Sequence, residues 1–149
     1  MLIEIPKTPV EELKTPFLEL QKIRIFIKRE DLNDPFLQGN KFRKLKYNLM
    51  AAKDEGADTL LTYGGAYSNH IFATAVAGMR FGFKTIGIIR GDELNVNSNF
   101  TLKAAAYFGM TFIFLPRQEF IDFKSHLTFP SHLKGKVYIL PEGGTNEAA

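Results

Sequence analysis

The sequence predicts an α/β fold in which helices cover both faces of an open, twisted, parallel sheet. Strand-like segments alternate with segments of helical periodicity four times along the 149 residues, and the strands are apolar throughout. Parallel strands have this composition because the helices that connect them bury both faces of the sheet. Hydrophobic residues make up 45% of the chain and charged residues 23%, which favours one globular core over global disorder.

The first elements are predicted within residues 23–63. Residues 23–28 are β-branched with partial alternation, which indicates a strand, and residues 31–40 contain Asp-Pro and Gly, which indicates a loop. From Lys41 the apolar residues recur at three- and four-residue steps, so we expect an amphipathic helix that Gly56 ends. Residues 59–63 then predict a short apolar strand.

The second half of the chain repeats this order. Ser68 or Asn69 is expected to cap a helix that continues to Met79. The following predicted elements are a strand at 84–89, a polar loop at 91–99, a helix at 101–108, a strand at 111–115, a helix at 118–127 and a strand at 137–140. Gly109 is expected to end the helix that precedes it.

Composition excludes several classes of function. The chain has no cysteine, so disulfides, thiolate metal sites and thiol nucleophiles are excluded. It shows neither a membrane-spanning apolar run nor a secretory leader, so we expect a cytoplasmic protein. The net charge is 19 − 16 = +3 and the lysines are spread along the chain, so nucleic acid is not expected as a partner. His70, His126 and His132 are scattered, so no metal site is expected.

Three loops stand where ligands bind in open α/β sheets, beyond the carboxyl ends of the strands. They are residues 38–41, 64–70 and 142–146, and each combines glycine with polar residues before a helix. A helix N-terminus favours an anion such as phosphate or carboxylate, although ordinary turn and capping chemistry explains each loop taken singly. None of them is a dinucleotide or Walker loop.

Lys41 is the most distinctive candidate, because a lysine in the first turn of a helix opposes the helix dipole. It is either simply exposed or an amine nucleophile whose pKa is lowered, as in Schiff-base chemistry. Lys44 lies on the same helix face and could hold a phosphate or lower the pKa of Lys41 further. Ser68 is equally explained as a helix cap, and a Ser–His hydrolase arrangement with His70 is only weakly supported.

Taken together, four segments resemble the signature of one pyridoxal-phosphate family. Residues 28–31 (KRED) and 38–45 (QGNKFRKL) resemble its (K)RED…GGNKxRKLE pattern, residues 62–70 (TYGGAYSNH) its T-x-GG-x-x-SNH/Q segment, and residues 141–146 (PEGGTN) its PEGGSN stretch. This is the family of 1-aminocyclopropane-1-carboxylate deaminase and D-cysteine desulfhydrase, which has the tryptophan-synthase-β-like fold (fold type II). Order and spacing agree over essentially the whole chain.

The resemblance implies a role for each matching residue and pyridoxal 5'-phosphate as cofactor. Lys41 corresponds to the lysine that holds the cofactor as an internal aldimine and then moves protons. Ser68 corresponds to a serine near the substrate carboxylate, Asn69 to the asparagine that binds the phenolic oxygen of the cofactor, and Lys44 to a lysine near its phosphate. The implied protein is a homodimeric deaminase or desulfhydrase that acts on a small amino acid.

Departures from the signature and the length of the family bear on the substrate and the domains. Gln38, the Ala66–Tyr67 pair and Thr145 replace the usual residues, and His70 is typical of the desulfhydrase-like members. Family members are about twice as long, so we expect a truncated chain. In it, residues 1–46 belong to a large domain, 47–138 form the small domain and 139–149 return to the large one.

Two consequences are expected from such a truncation. The chain alone should be inactive, and the Lys41 amine should face water with a pKa near its ordinary value.

Two alternative functions stay open. One is a non-catalytic α/β module that binds a small molecule or an anion, and the other is a phosphate-sugar or nucleotide binder.

Overall fold

The computed structural model describes residues 4, 7–127 and 135–147. Its N-terminal part begins with strand β1 (Val10–Leu13), helix α1 (Pro16–Leu20) and strand β2 (Ile25–Lys28). The two strands pair antiparallel and form a two-stranded sheet of their own. β1 and α1 were not predicted, and the placement of residues 23–28 at the start of the parallel alternation was wrong, because β2 pairs with β1.

The remaining elements form the predicted parallel sheet and its helices. They are α2 (Asn40–Asp54), β3 (Thr59–Gly64), α3 (Asn69–Phe81), β4 (Lys84–Arg90), α4 (Phe100–Tyr107), β5 (Met110–Leu115), α5 (Arg117–His126) and β6 (Val137–Leu140). Short 3-10 turns at Glu30–Leu32 and Glu142–Gly144 lie outside the sheet. The strand order is β5-β4-β3-β6, all parallel, which confirms the predicted fold class.

Helices cover both faces of this sheet because its strands are apolar on both sides. Every residue of β3 is buried, and successive residues point to opposite faces. Leu60 packs with α2 and α3, whereas Leu61 and Tyr63 pack with the aromatic side chains of α5. A further apolar cluster joins α3 to α4 on the first face. The sheet therefore carries α2, α3 and α4 on one side and α5 on the other.

Glycine allows close packing where α3 crosses β4. A Cβ atom built on Gly78 would overlap Cγ2 of Thr85 and lie 3.0 Å from the carbonyl oxygen of Phe83. The helix can therefore approach the strand only because residue 78 has no side chain. In the described part of the chain, no helix has the length and apolar character that a membrane span requires. His132 lies outside the described residues.

Candidate active site

The three glycine-containing loops meet at the carboxyl end of the parallel strands. β3 and β6 are parallel neighbours, so their carboxyl ends lie side by side. The loop after β3 leads into α3, and the turn after β6 spans Glu142–Gly144. The N-terminal turn of α2 approaches the same edge, with Gly39 as its cap residue at φ 64.

Lys41 binds the turn after β6 through its side-chain amine. Its Nζ donates a hydrogen bond of 3.1 Å to the carbonyl oxygen of Gly143, which is 102 residues further along the chain. Burial, and secondarily the positive charge of Lys44, lower the pKa of the Lys41 amine. The expectation that the pKa of this amine stays near its ordinary value is therefore wrong, because the side chain is partly buried. The segment after β6 covers the amine, and loss of solvation favours its neutral form.

Two more side chains on the same face of α2 contact the same segment. Lys44 donates through Nζ to Oγ1 of Thr145 at 2.5 Å. Asn48 is fully buried, and its Oδ1 accepts from Nδ2 of Asn146 at 2.7 Å. This face of α2 therefore holds the segment after β6 at three successive points.

Ser68 is the N-cap of α3, as predicted. Its Oγ accepts from the backbone N–H groups of His70 at 3.2 Å and Ile71 at 3.4 Å. A hydroxyl that accepts two hydrogen bonds still has its own proton to donate. Asn69, the first residue of the helix, is exposed. Both side chains are thus placed at the end of α3 where an anion is favoured.

His70 is packed under the turn after β6. The ring is 1% exposed, and a Cβ atom built on Gly144 would lie 2.6 Å from its Cε1. Neither ring nitrogen has a hydrogen-bond partner among the described residues. Burial, with smaller contributions from the charges of Lys41 and Lys44, lowers the pKa of His70 to about 4. The imidazole is therefore neutral at physiological pH.

A cleft of about 640 Å³ opens between the N-terminal ends of α2, α3 and α4. Its walls are Gly39, Asn40 and Lys41 from α2, Asn69, Phe72 and Ala73 from α3, and Phe100 and Thr101 from α4, with residues 31–38 closing one side. The cleft thus has mostly apolar walls, with Lys41 and Asn69 among its polar side chains. This combination is typical of small-molecule sites.

The sequence predicts Lys41, Lys44, Ser68 and Asn69 as site residues, and the structure places the two lysines on α2 and the other two at the start of α3. Asn48 was not predicted, although a signal was available. Asn48 is a polar residue on the helix face that otherwise carries the buried Leu45, Leu49 and Ala52. The carbonyl of Gly143 has no such signal, because a backbone acceptor has no side-chain identity.

Comparison with known proteins gives three related matches. The family model described as pyridoxal-phosphate dependent enzyme matches residues 2–115. A Thermotoga maritima protein named "Putative 1-aminocyclopropane-1-carboxylate deaminase" is 36% identical over 146 residues, which are 97% of this chain and 46% of that protein. The D-cysteine desulfhydrase of Serratia proteamaculans is 27% identical over 160 residues, covering 97% of this chain and 48% of its own length.

A solved structure agrees with these sequence matches. The crystal structure described as an ACC deaminase homologue superimposes with a TM-score of 0.71 at 29% sequence identity. The match covers 94% of this chain and 43% of that one. The chain therefore spans about half the length of the curated relatives and of the solved structure that it matches.

Proposed function

Because the chain belongs to the family of pyridoxal-phosphate dependent enzymes, we propose that it carries the cofactor-binding lysine of a deaminase or desulfhydrase acting on a small amino acid. One observation carries this proposal. Lys41 lines the cleft at the N-terminus of α2, and burial lowers the pKa of its amine. An amine of this kind is a better nucleophile than an exposed lysine, because more of it is neutral at physiological pH.

The residues around the cleft fit pyridoxal phosphate, an aromatic aldehyde with an anionic phosphate. Lys41 supplies the amine, the N-terminus of α3 supplies positive potential and Phe72 supplies an apolar wall. Lys44 adds a positive charge one turn further along α2. We propose that Lys44 lies near the phosphate and that Asn69 binds a polar ring substituent. The position of Asn69 at the first residue of α3, and that of Lys44 one turn after Lys41 on α2, support these roles.

When bound, pyridoxal phosphate supplies an electron sink for charge that develops on the α-carbon of an amino acid. We propose that Lys41 binds the cofactor and, once released from it, accepts or returns a proton at Nζ. Its lowered pKa favours both tasks, because the neutral amine is the form that attacks an aldehyde or accepts a proton.

Ser68 is proposed to bind the substrate carboxylate. Its Oγ already accepts two backbone hydrogen bonds, so its O–H is free to donate to a carboxylate oxygen. The partial positive charge of the α3 N-terminus favours the same anion. Ser68 would therefore orient the substrate beside the Lys41 amine.

Chemical mapping tests the assignment of Lys41. The purified protein is mixed with pyridoxal phosphate, treated with borohydride to make the lysine linkage permanent, and digested for mass spectrometry. We expect the added pyridoxyl mass on Lys41, and no such mass in the Lys41→Ala variant. Lys53→Ala is the matched control, since it removes an exposed amine from the same helix and should keep the label. Labelling of Lys44 in place of Lys41 would contradict the proposal.

The reaction is tested with two substrates. Release of ammonia from 1-aminocyclopropane-1-carboxylate identifies a deaminase, and release of sulfide from D-cysteine identifies a desulfhydrase. In the complete protein, labelling of Lys41 without either product would favour the alternative of a non-catalytic binding module. Thermal protection by nucleotides, with none by pyridoxal phosphate, would favour the nucleotide-binding alternative.

We propose that the complete site needs a longer polypeptide than these 149 residues. The length of the relatives supports this, and so does the division into residues 1–46, 47–138 and 139–149 that the family resemblance implies. The 149 residues alone are then expected to bind the cofactor weakly and turn nothing over. Tight stoichiometric binding, or product release by this chain, would contradict that expectation.

A cytoplasmic homodimer is proposed for the complete protein. The segment that contains α1 and β2 exposes many apolar side chains, among them Phe17, Leu20 and Phe26. Apolar surface of this kind is normally covered, either by further chain or by a second copy. Light scattering coupled to size-exclusion chromatography measures the oligomeric state, and a monomeric mass would contradict the homodimer.

A further inference from the structure

The contacts between α2 and the segment after β6 form an ordered series. Residues 41, 44 and 48 lie on one face of the helix, since they are separated by three and four positions. In the same order they contact Gly143, Thr145 and Asn146. The segment therefore runs along α2 and is held there at three successive points.

Asn48 is the buried end of this series. The side chain is 0% exposed, and its Nδ2 donates to the carbonyl oxygen of Lys44 at 2.8 Å. Its Oδ1 accepts from Nδ2 of Asn146 at 2.7 Å and from the hydroxyl of Tyr138 at 3.2 Å. The contacts of Lys41 and Lys44 are made by long, mobile side chains nearer to solvent. The short buried amide is thus the most rigid of the three anchors.

We propose that Asn48 is a positioning residue, which binds Asn146 and so holds the Gly143–Asn146 segment along α2, with the Gly143 carbonyl over the Lys41 amine. Nothing in the chemistry of the site requires Asn48 to touch a ligand. The significance of this role for catalysis depends on the proposed function, in which Lys41 binds the cofactor.

The role has a measurable consequence for Lys41. Burial is the main cause of its lowered pKa, and the segment after β6 contributes to that burial. When Asn146 is released, the segment loses its buried anchor and water reaches the amine. The pKa of Lys41 should then rise toward the ordinary value of 10.5.

The experiment measures the Lys41 amine directly, in the full chain without cofactor. An amine-reactive reagent is applied over a range of pH, and mass spectrometry follows labelling of Lys41 and of the exposed Lys53 as an internal reference. Asn48→Leu removes the α2 partner of the hydrogen bond between Asn48 and Asn146. Asn146→Ala removes the partner in the segment after β6. Tyr138→Phe is the matched control, because it removes another bond to the same oxygen and leaves the direct contact between Asn48 and Asn146 in place.

We expect the midpoint for Lys41 to rise by about half a pH unit or more in Asn48→Leu and in Asn146→Ala. This corresponds to at least about a three-fold loss of neutral amine at a fixed pH. The double variant with both Asn48→Leu and Asn146→Ala should shift the midpoint no further than either single variant, because both changes break the same contact. Tyr138→Phe should leave the labelling midpoint of Lys41 unchanged. The labelling midpoint of Lys53 should be the same in every variant.

Two outcomes would overturn the inference. One is an unchanged Lys41 midpoint in Asn146→Ala, which keeps the core intact and so remains informative if Asn48→Leu fails to fold. The other is an equal shift in Tyr138→Phe, which would indicate a general loosening of the core. Neither readout needs pyridoxal phosphate or turnover, so failure here is distinguishable from failure of the proposed function.

Discussion

Replacement of Gly144 by alanine should destabilise the protein through a collision with His70. Residue 144 has φ +75, so a side chain there costs about 1–2 kcal/mol of backbone strain. The new Cβ would also lie 2.6 Å from Cε1 and 3.0 Å from Nδ1 of His70. The ring is 1% exposed and cannot swing into solvent. Overpacking of this kind costs about 1–3 kcal/mol, so the free energy of unfolding should fall by about 2–5 kcal/mol in total.

Gly143 offers a matched control for this substitution. It has the same φ of +75, but a Cβ atom built on it meets nothing within 4 Å. Gly143→Ala should therefore lose only the strain of about 1–2 kcal/mol. The difference between the two variants isolates the contact with the imidazole.

Urea unfolding followed by circular dichroism gives the required free energies. In a His70→Ala background, Gly144→Ala should cost no more than Gly143→Ala, because the colliding ring is gone. Equal losses for the two alanine variants in the native background would refute the reasoning. A Gly144→Ala penalty that persists without the imidazole would refute it as well.

Three further predictions concern the same part of the fold. Gly78→Ala should lower the free energy of unfolding by about 1–3 kcal/mol, because its Cβ overlaps Cγ2 of Thr85. In the double variant, Thr85→Ser removes that methyl group and should relieve the loss. A full loss in the double variant would contradict the packing argument. Ser68→Ala should cost about 0.5–2 kcal/mol by removing the α3 cap, whereas Ser68→Asp should retain most of the stability; equal unfolding midpoints for all three proteins would argue against the cap. The folded pKa of His70 lies at about 4 against an ordinary 6.5, so the unfolded chain binds a proton that the folded protein does not. Stability should therefore fall as the pH drops from about 6.5 to about 4, by up to about 3 kcal/mol. Denaturant titrations across this range should show a weaker pH dependence in His70→Gln, and an identical slope would contradict the burial of a neutral ring.

The parallel sheet was predictable because its elements have strong local signals. The apolar strand that contains Leu60 and the periodic helix that contains Leu45 each indicate their own structure, and helix-connected strands pair in parallel. β1 and α1 have four and five residues, and three of the four β1 residues are exposed. Short exposed elements depend on pairing with distant chain, which local composition does not encode.

The candidate site shows the same difference between residues with a local signal and contacts that depend on distant parts of the chain. The motifs predict Lys41 and Ser68 as site residues, because both stand at a helix start and this position is visible in the sequence. The partner of Asn48 lies 98 residues away, and no local pattern connects the two. Packing of His70 against Gly144 was equally hidden, since it depends on where the turn after β6 passes over α3.

The distance along the chain between Lys41 and Gly143 has a consequence for biosynthesis. The two are 102 residues apart, so the contact closes a loop that contains the whole parallel sheet. At a translation rate of about 5–20 residues per second, the lysine leaves the ribosome roughly 5–20 s before the carbonyl that covers it. Long-range contacts of this kind also form late in folding, because loop closure must precede them. The lysine of the nascent chain is therefore fully solvated, and the burial that lowers its pKa arises only when the last strand has docked.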